Sequence, residues 1–243
     1  MRATHDAFGA ALLDWVAGAT TPEVNERDDG LIEVGAGPEV YLADVGGWPE
    51  AERRAVRYAR GRVADVGCGA GRVARHLQGK GHDVIGVDVS LLALEAATLF
   101  GVGRTLRLSI ERLHTVIGDL DTIILFGNNL GLLATPPRAT STLTTWAAAA
   151  RPGTRILVES SRPFSGAAPI IDRDYCRRNQ DRGLAPGQCR LRVWYDRMPS
   201  PWFSWFFASP TELRAIVAGT GWSVAHVLDA GRAEPYVAVL ERA

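Results

Sequence analysis

From residue 61 onward, short continuous apolar runs alternate with segments whose apolar positions recur every three or four residues. The first pattern predicts buried strands and the second predicts amphipathic helices. Strands are expected over 62–66, 83–88, about 104–110, 122–126 and 154–159, with helices over 71–78, 91–100 and 136–150 between them. After Thr122, the run to Phe126 is entirely apolar, as a central parallel strand buried on both faces requires. Gly101 and Arg151-Pro152-Gly153 stop helices, and Pro136-Pro137 opens one. This alternation predicts an α/β protein with a Rossmann-like, doubly wound sheet of seven strands.

The ends of the chain extend the pattern. Phe8, Ala11, Leu12, Trp15 and Val16 share one face of a predicted N-terminal helix over 5–18. Thr20 to Gly30 reads as polar and turn-rich, followed by short apolar pieces at 31–34 and 41–45. Another helix starts at Trp48-Pro49-Glu50, with Ala51, Ala55, Val56 and Ala59 inward, and ends at Gly61. Residues 1–60 thus read as a helical cap or lid, and 61–243 as the core. Ser209-Pro210-Thr211-Glu212 is a capping box with proline at the first helical position. Strands over 222–228 and 236–240 close the chain.

Residues 160–208 break the rhythm and read as an insert on the substrate side, with one alternating run at Leu191–Tyr195 that fits an antiparallel pair or a lid. Between 162 and 197 there are eight arginines against four aspartates. That excess fits either Arg forks for an anionic acceptor or a solvated face. Trp202, Phe203, Trp205, Phe206 and Phe207 are too many aromatics for an exposed loop. Most are expected in the core and one or two in a pocket wall.

Composition narrows the function. With 243 residues and 47% hydrophobic content, the chain can bury a large core. Its formal net charge is zero, so no global field attracts nucleic acid or a membrane surface. No apolar run approaches the ~18 residues that span a bilayer. The three cysteines have no metal-ligand spacing, and the five histidines are scattered, so no metal site is expected. An odd cysteine count without a framework fits a reducing cytosol, and a cytoplasmic monomer or homodimer is expected.

The chemistry concentrates in Asp65-Val66-Gly67-Cys68-Gly69-Ala70-Gly71 and in Gly86-Val87-Asp88-Val89-Ser90. The glycines let the backbone approach a ligand where a Cβ would clash. Asp88 lies 21 residues past Gly67, the distance at which a second-strand carboxylate reaches ribose hydroxyls. Arg72 stands where a dinucleotide fingerprint wants Gly or Ala, and the Gly-Lys-Ser/Thr ending of a P-loop is missing. These residues resemble motif I and the second-strand motif of the class I S-adenosylmethionine-dependent methyltransferases, and the resemblance runs from about residue 61 to the C-terminus. It implies S-adenosylmethionine as cofactor, S-adenosylhomocysteine as product, and an antiparallel C-terminal strand closing the sheet.

By that resemblance, Asp65, Gly67, Cys68, Gly69 and Gly71 form the cofactor loop, Asp88 takes the ribose, and Val89 and Ser90 border the adenine. The family's adenine-binding acid is replaced by Ser109. The base is then expected at Ser109, at the Ile110 or Glu111 amide, or at the Glu111 side chain. Phe126, Gly127 and Asn128 follow the fourth strand, at the sheet end where ligands of open α/β sheets bind. Asn128 and Asn129 are expected at the transferable methyl or the acceptor, or as turn residues. Glu159 is a candidate base or acceptor-orienting acid, with a structural salt bridge as the alternative. Tyr175 and Trp202 in the insert are further substrate candidates.

The expected reaction is methyl transfer to a nucleophilic O, N, S or C atom of a small-molecule acceptor. Proximity and orientation alone can contribute roughly 7–11 kcal/mol, so a dedicated base is optional. A methyltransferase acting on nucleic acid would need a basic stripe, which only the Arg-rich insert offers. An NAD(P)-dependent oxidoreductase and a non-catalytic S-adenosylmethionine-binding protein are the alternatives.

Overall fold

The computed structural model describes residues 5–163, 171–231 and 234–242. Along the chain run α1 (Ala7–Val16), β1 (Val24–Arg27), β2 (Ile32–Val34), α2 (Pro38–Tyr41), α3 (Glu50–Ala55), β3 (Arg62–Val66) and α4 (Arg72–Gly79). They are followed by β4 (Asp83–Asp88), α5 (Leu91–Leu99), β5 (Thr105–Arg107), β6 (Thr122–Leu125), α6 (Pro136–Ala149) and β7 (Arg155–Ser160). The last third holds α7 (Arg173–Asp181), β8 (Gln188–Tyr195), β9 (Met198–Pro199), β10 (Phe203–Phe206), α8 (Pro210–Val217), β11 (Trp222–Asp229) and β12 (Tyr236–Arg242).

Two sheets form. The larger has seven strands in the order β11-β12-β7-β6-β3-β4-β5. β4 runs parallel to β5 and β6 parallel to β7, whereas β12 is antiparallel to both β7 and β11. All four residues of β6 are buried, which accounts for its unbroken apolar run. The smaller sheet has the order β10-β8-β1-β2, with β9 paired to β8.

By contact the chain forms two compact units. The first holds Met1–Trp48, Ala64–Ser109 and Arg190–Phe203. Within it, α1 packs on α5 through small residues, with Ala7, Ala10 and Ala11 against Ala93 and Ala96 in one buried cluster. Trp15 anchors the far end of α1, stacked on Tyr41 at 5.5 Å and edge-on to Tyr195 at 6.2 Å. The second unit holds Pro49–Val63, Ile110–Cys189 and Ser204–Ala243. Its helix α8 starts at the expected capping box: the Ser209 amide donates to Glu212 Oε2 at 2.7 Å, and the Glu212 amide donates to Ser209 Oγ at 3.3 Å.

Several expectations are corrected. The third strand of the core is confined to Thr105–Arg107, and a 3-10 segment over Ile110–Thr115 takes up the following residues. The polar stretch 20–30 contains β1, which pairs with β8 so that Val24 faces Trp194 and Glu26 faces Arg192. No apolar alternation marks β1, because its partner, some 170 residues away, supplies the pairing. The insert also contains a helix, α7, begun by Asp172, whose carboxylate accepts from the Tyr175 amide at 2.8 Å. Of the five clustered aromatics only Phe206 is fully buried, because most of the cluster lies on or beside the edge strand β10, which has a neighbour on one side only. Cys68, Cys176 and Cys189 are all buried.

Candidate functional site

The glycine loop in the first unit is a run of left-handed turns. Gly67, Gly69 and Gly71 have φ of 69°, 55° and 81°, a region costly for any residue with a Cβ. The amides of Gly67 and Cys68 both donate to the Val87 carbonyl, at 2.8 and 3.1 Å, which ties the loop to the end of β4. At Gly71 a Cβ would come within 2.4 Å of Val102 Cγ2. At Gly69 it would meet only Leu12 of α1, at an ordinary 3.5 Å, so glycine here answers to the backbone φ rather than to packing. Asp65 is 3% exposed, and its Oδ2 accepts from the Ala74 amide at 3.0 Å. It therefore holds the first turn of α4 against β3. Burial, with Asp65 and Asp88 nearby, pushes the Cys68 thiol well up, so it stays protonated.

Asp88 closes β4. Its Oδ2 accepts from the Gly69 amide at 3.1 Å and its Oδ1 from the Ser90 amide at 3.0 Å. A carboxylate has about four lone-pair sites, so hydroxyl donors still find acceptors there. Burial raises the Asp88 carboxyl above the usual range, against the lowering effect of the Ser90, Gly69 and Val89 amides, and the charge of Asp6 adds to the rise. Val89, the next residue, is 58% exposed, an apolar surface beside the Asp88 carboxylate. Arg72 lays its guanidinium over Trp48, 4.8 Å from the ring centre. Sequence reasoning placed Ser90 beside the adenine but missed its part in capping. Its hydroxyl caps α5 and donates to Asp6, which caps α1. Ser90 directly before an apolar helix was the available signal for the cap.

Ser109 and Ile110 are half-buried. Glu111 is exposed, and its carboxylate accepts from Arg138 Nη2 at 3.1 Å.

In the second unit, β6 is followed by Phe126, which is buried, and the chain then turns through Gly127 (φ 73°) and Asn128 (φ 60°). Glu159, at the end of β7 and 2% exposed, holds this turn. Its Oε2 accepts from the Gly127 amide in a short hydrogen bond and from the Asn128 amide at 3.3 Å. Glu52 of α3, also buried, accepts from the same Gly127 amide at 3.4 Å. Asn128 Oδ1 accepts from Ser161 Oγ at 2.8 Å, and Asn129 opens a 3-10 segment. At Gly131 in that segment the Trp205 indole lies where a Cβ would be. Nothing in the sequence pointed to Glu52 or Ser161, because neither belongs to a motif.

Tyr175 is buried in α7 beneath the Arg178 guanidinium. Trp202 is half-buried and belongs to a different cluster in the first unit. There Arg192 stacks on both Trp194 and Trp202, 4.7 and 4.6 Å from their ring centres, and forks onto Glu26 at 2.7 and 2.9 Å. Arg162 pairs with Asp229 and reaches over Tyr236. Part of the insert's positive charge is thus taken up by internal pairs. Among the described residues no group of three His, Cys, Asp or Glu side chains is placed to hold a metal, and no helix is long and apolar enough to cross a membrane.

A seven-stranded sheet of this order, with one antiparallel C-terminal strand and a glycine loop after β3, the first of its strands along the chain, is the Rossmann-like fold of the class I methyltransferases. Comparison with known proteins agrees. Residues 63–153 match the family model described as a methyltransferase domain. That segment carries the glycine loop and Asp88. No curated protein matches the chain in sequence. Among solved structures, a SAM-dependent methyltransferase from Bacteroides fragilis, in complex with S-adenosyl-L-homocysteine, is 23% identical. The alignment covers 100% of this chain and 97% of that one, with a TM-score of 0.82. The CcbJ methyltransferase from Streptomyces caelestis is 16% identical over 83% of this chain and 99% of that one, TM-score 0.55. CalS10 from Micromonospora echinaspora, an amino pentose methyltransferase of calicheamicin biosynthesis with SAM bound, is 18% identical over 79% and 88%, TM-score 0.53. These likenesses establish the fold.

Proposed function

We propose that this protein transfers a methyl group from S-adenosylmethionine to a nucleophilic O, N, S or C atom of a small-molecule acceptor. The observation that carries the reading is the Asp88 carboxylate, pinned by the Gly69 and Ser90 amides beside three left-handed glycines. In this reading Asp88 accepts from the ribose hydroxyls, and the bare backbone at Gly69 lies against the ligand. Exposed Val89 is covered by the adenine. Ser109, Ile110 and the Glu111 amide are the further adenine-side residues, and Phe126 and Gly127 line the cofactor. The presence of Arg72 in place of a small residue argues against a dinucleotide.

When bound, S-adenosylmethionine supplies an electrophilic methyl on a sulfonium. The residues of the chain bind and orient. Asn128, Asn129, Tyr175 and Trp202 are the proposed acceptor-side residues. Glu159 is proposed as the residue that shapes the 126–129 turn rather than as a base, because its oxygen already accepts two backbone amides. The likeness to CalS10, an amino pentose methyltransferase involved in calicheamicin biosynthesis, supports a small, functionalised acceptor of specialised metabolism.

Thermal stabilisation by S-adenosylhomocysteine and by NAD(H) tests the reading, followed by mass spectrometry of a small-molecule acceptor panel incubated with S-adenosylmethionine. Stabilisation by S-adenosylhomocysteine alone, weakened in Asp88→Ala, is the expected result; a ligand at about 100 times its Kd adds roughly 2.7 kcal/mol. Stabilisation by NAD(H) alone would overturn the reading. Binding with no product from any acceptor would favour a non-catalytic binding protein.

A further inference from the structure

Helix α1 and the carboxylate proposed to hold the ribose meet at one serine. Asp6 caps α1, its Oδ1 accepting from the Gly9 amide at 3.0 Å. Its other oxygen accepts from Ser90 Oγ at 2.5 Å. Ser90 donates its amide to Asp88 at 3.0 Å, and its Oγ accepts from the Ala93 amide at 2.9 Å, which caps α5. One residue thus touches the start of α1, the start of α5 and the end of β4.

The packing is built around this link. Gly9 allows the close approach, since a Cβ there would lie 2.4 Å from Ser90 Oγ and 2.6 Å from Asp6 Oδ1. Beyond it the α1–α5 contact is largely alanine on alanine, with Phe8, Leu12 and Trp15 the larger members of the same cluster, and alanines bury little apolar area each. At the α5 contact the position of α1 therefore leans on the polar link. One turn on, Leu12 is the residue that faces bare Gly69. Docking α1 thus sets both the cover over the glycine loop and the hydrogen bonds around Asp88.

We infer that Asp6 and Ser90 are positioning residues for the cofactor, joining the docking of α1 to the orientation of Asp88. The inference rests on the reading that Asp88 takes the ribose of S-adenosylmethionine. By thermodynamic reciprocity, a ligand that favours the ordered Asp88 arrangement also favours docked α1, and undocking α1 weakens the ligand by the same factor. Neither residue needs to touch the ligand for this coupling.

Two substitutions separate capping from coupling. Asp6→Ser keeps a good helix cap, but its single short hydroxyl cannot also reach Ser90. Asp6→Asn keeps the cap through its carbonyl and presents its NH2 to Ser90 Oγ, so the bridge survives with reversed polarity. S-adenosylhomocysteine binding to the full chain is measured by calorimetry, and hydrogen exchange of the α1 amides with and without that ligand. In wild type the ligand slows exchange in α1. In Asp6→Ser that slowing disappears and binding weakens about tenfold, the scale of one hydrogen bond. Asp6→Asn recovers both responses. Equal affinity and equal slowing in wild type and Asp6→Ser would overturn the inference and leave the cofactor reading intact. Weakened binding in Asp6→Asn as severe as in Asp6→Ser would also overturn it. If wild type fails to bind S-adenosylhomocysteine, the cofactor reading falls and the inference falls with it.

Discussion

The buried carboxylate of Glu159 accepts the backbone amide of Asn128 at 3.3 Å and, on the same oxygen, that of Gly127. An acid at a strand end near two asparagines invites assignment as a base. Its hydrogen bonds give it a different role, because it satisfies two consecutive amides that a left-handed turn points into the protein.

Glu159→Ala should therefore act first on stability. The Asn128 amide loses its acceptor, whereas the Gly127 amide keeps Glu52 Oε1 at 3.4 Å, and an amide left without a partner costs about 1–3 kcal/mol. For a chain of this size each kcal/mol lowers Tm by about 2–4 °C. Calorimetric melting of the free protein is expected to show a drop of several degrees. An unchanged Tm combined with lost methyl transfer would instead identify Glu159 as a base.

Cofactor affinity should depend on the ionisation of Asp88. Burial holds its carboxyl above the ordinary value of 3.8, only partly offset by the surrounding amides. For the fold, a raised acid is stabilising in its protonated form. That contribution is complete below 3.8 and is lost as pH rises through the native value. Cofactor binding has the opposite sign, because the ribose hydroxyls proposed to bind there would donate to the ionised carboxylate. S-adenosylhomocysteine affinity, followed by calorimetry, is expected to fall on acidification at a pH above 3.8. Asp88→Asn should bind more weakly and lose that dependence.

The loop glycines should separate folding from binding. Gly71→Ala combines a φ of 81° with a Cβ 2.4 Å from Val102, and both the strain and the overlap fall on the fold. A loss of about 2–4 kcal/mol is expected, read as a lowered Tm of the free protein. Gly69→Ala carries strain at φ 55° but meets only Leu12, at an ordinary 3.5 Å. Its loss should be nearer about 1–2 kcal/mol. Its larger effect is expected on S-adenosylhomocysteine affinity, since the methyl occupies space proposed for the ligand.

The sequence by itself determined the larger sheet and the residues at the end of β4. Unbroken apolar runs, glycines at 67, 69 and 71, and an acid at 88 are local signals, and the physics behind them is local too: burial of both strand faces, backbone that needs a positive φ, and a carboxylate two residues from its amide donor. The start of α8 was legible for the same reason, since a capping box closes within four residues.

Tertiary structure alone decided the rest, because the deciding contacts join residues far apart in sequence. The polar strand β1 exists because β8 pairs with it across some 170 residues, and the Arg192–Glu26 fork with its two stacked indoles exists only in that register. The same holds for the reach of Asp6 to Ser90, 84 positions apart, and for the meeting of Glu52 and Glu159 at one amide. Buried backbone donors and acceptors must find partners wherever the chain brings them, and single-sequence patterns record the need for a partner without recording which residue fills it.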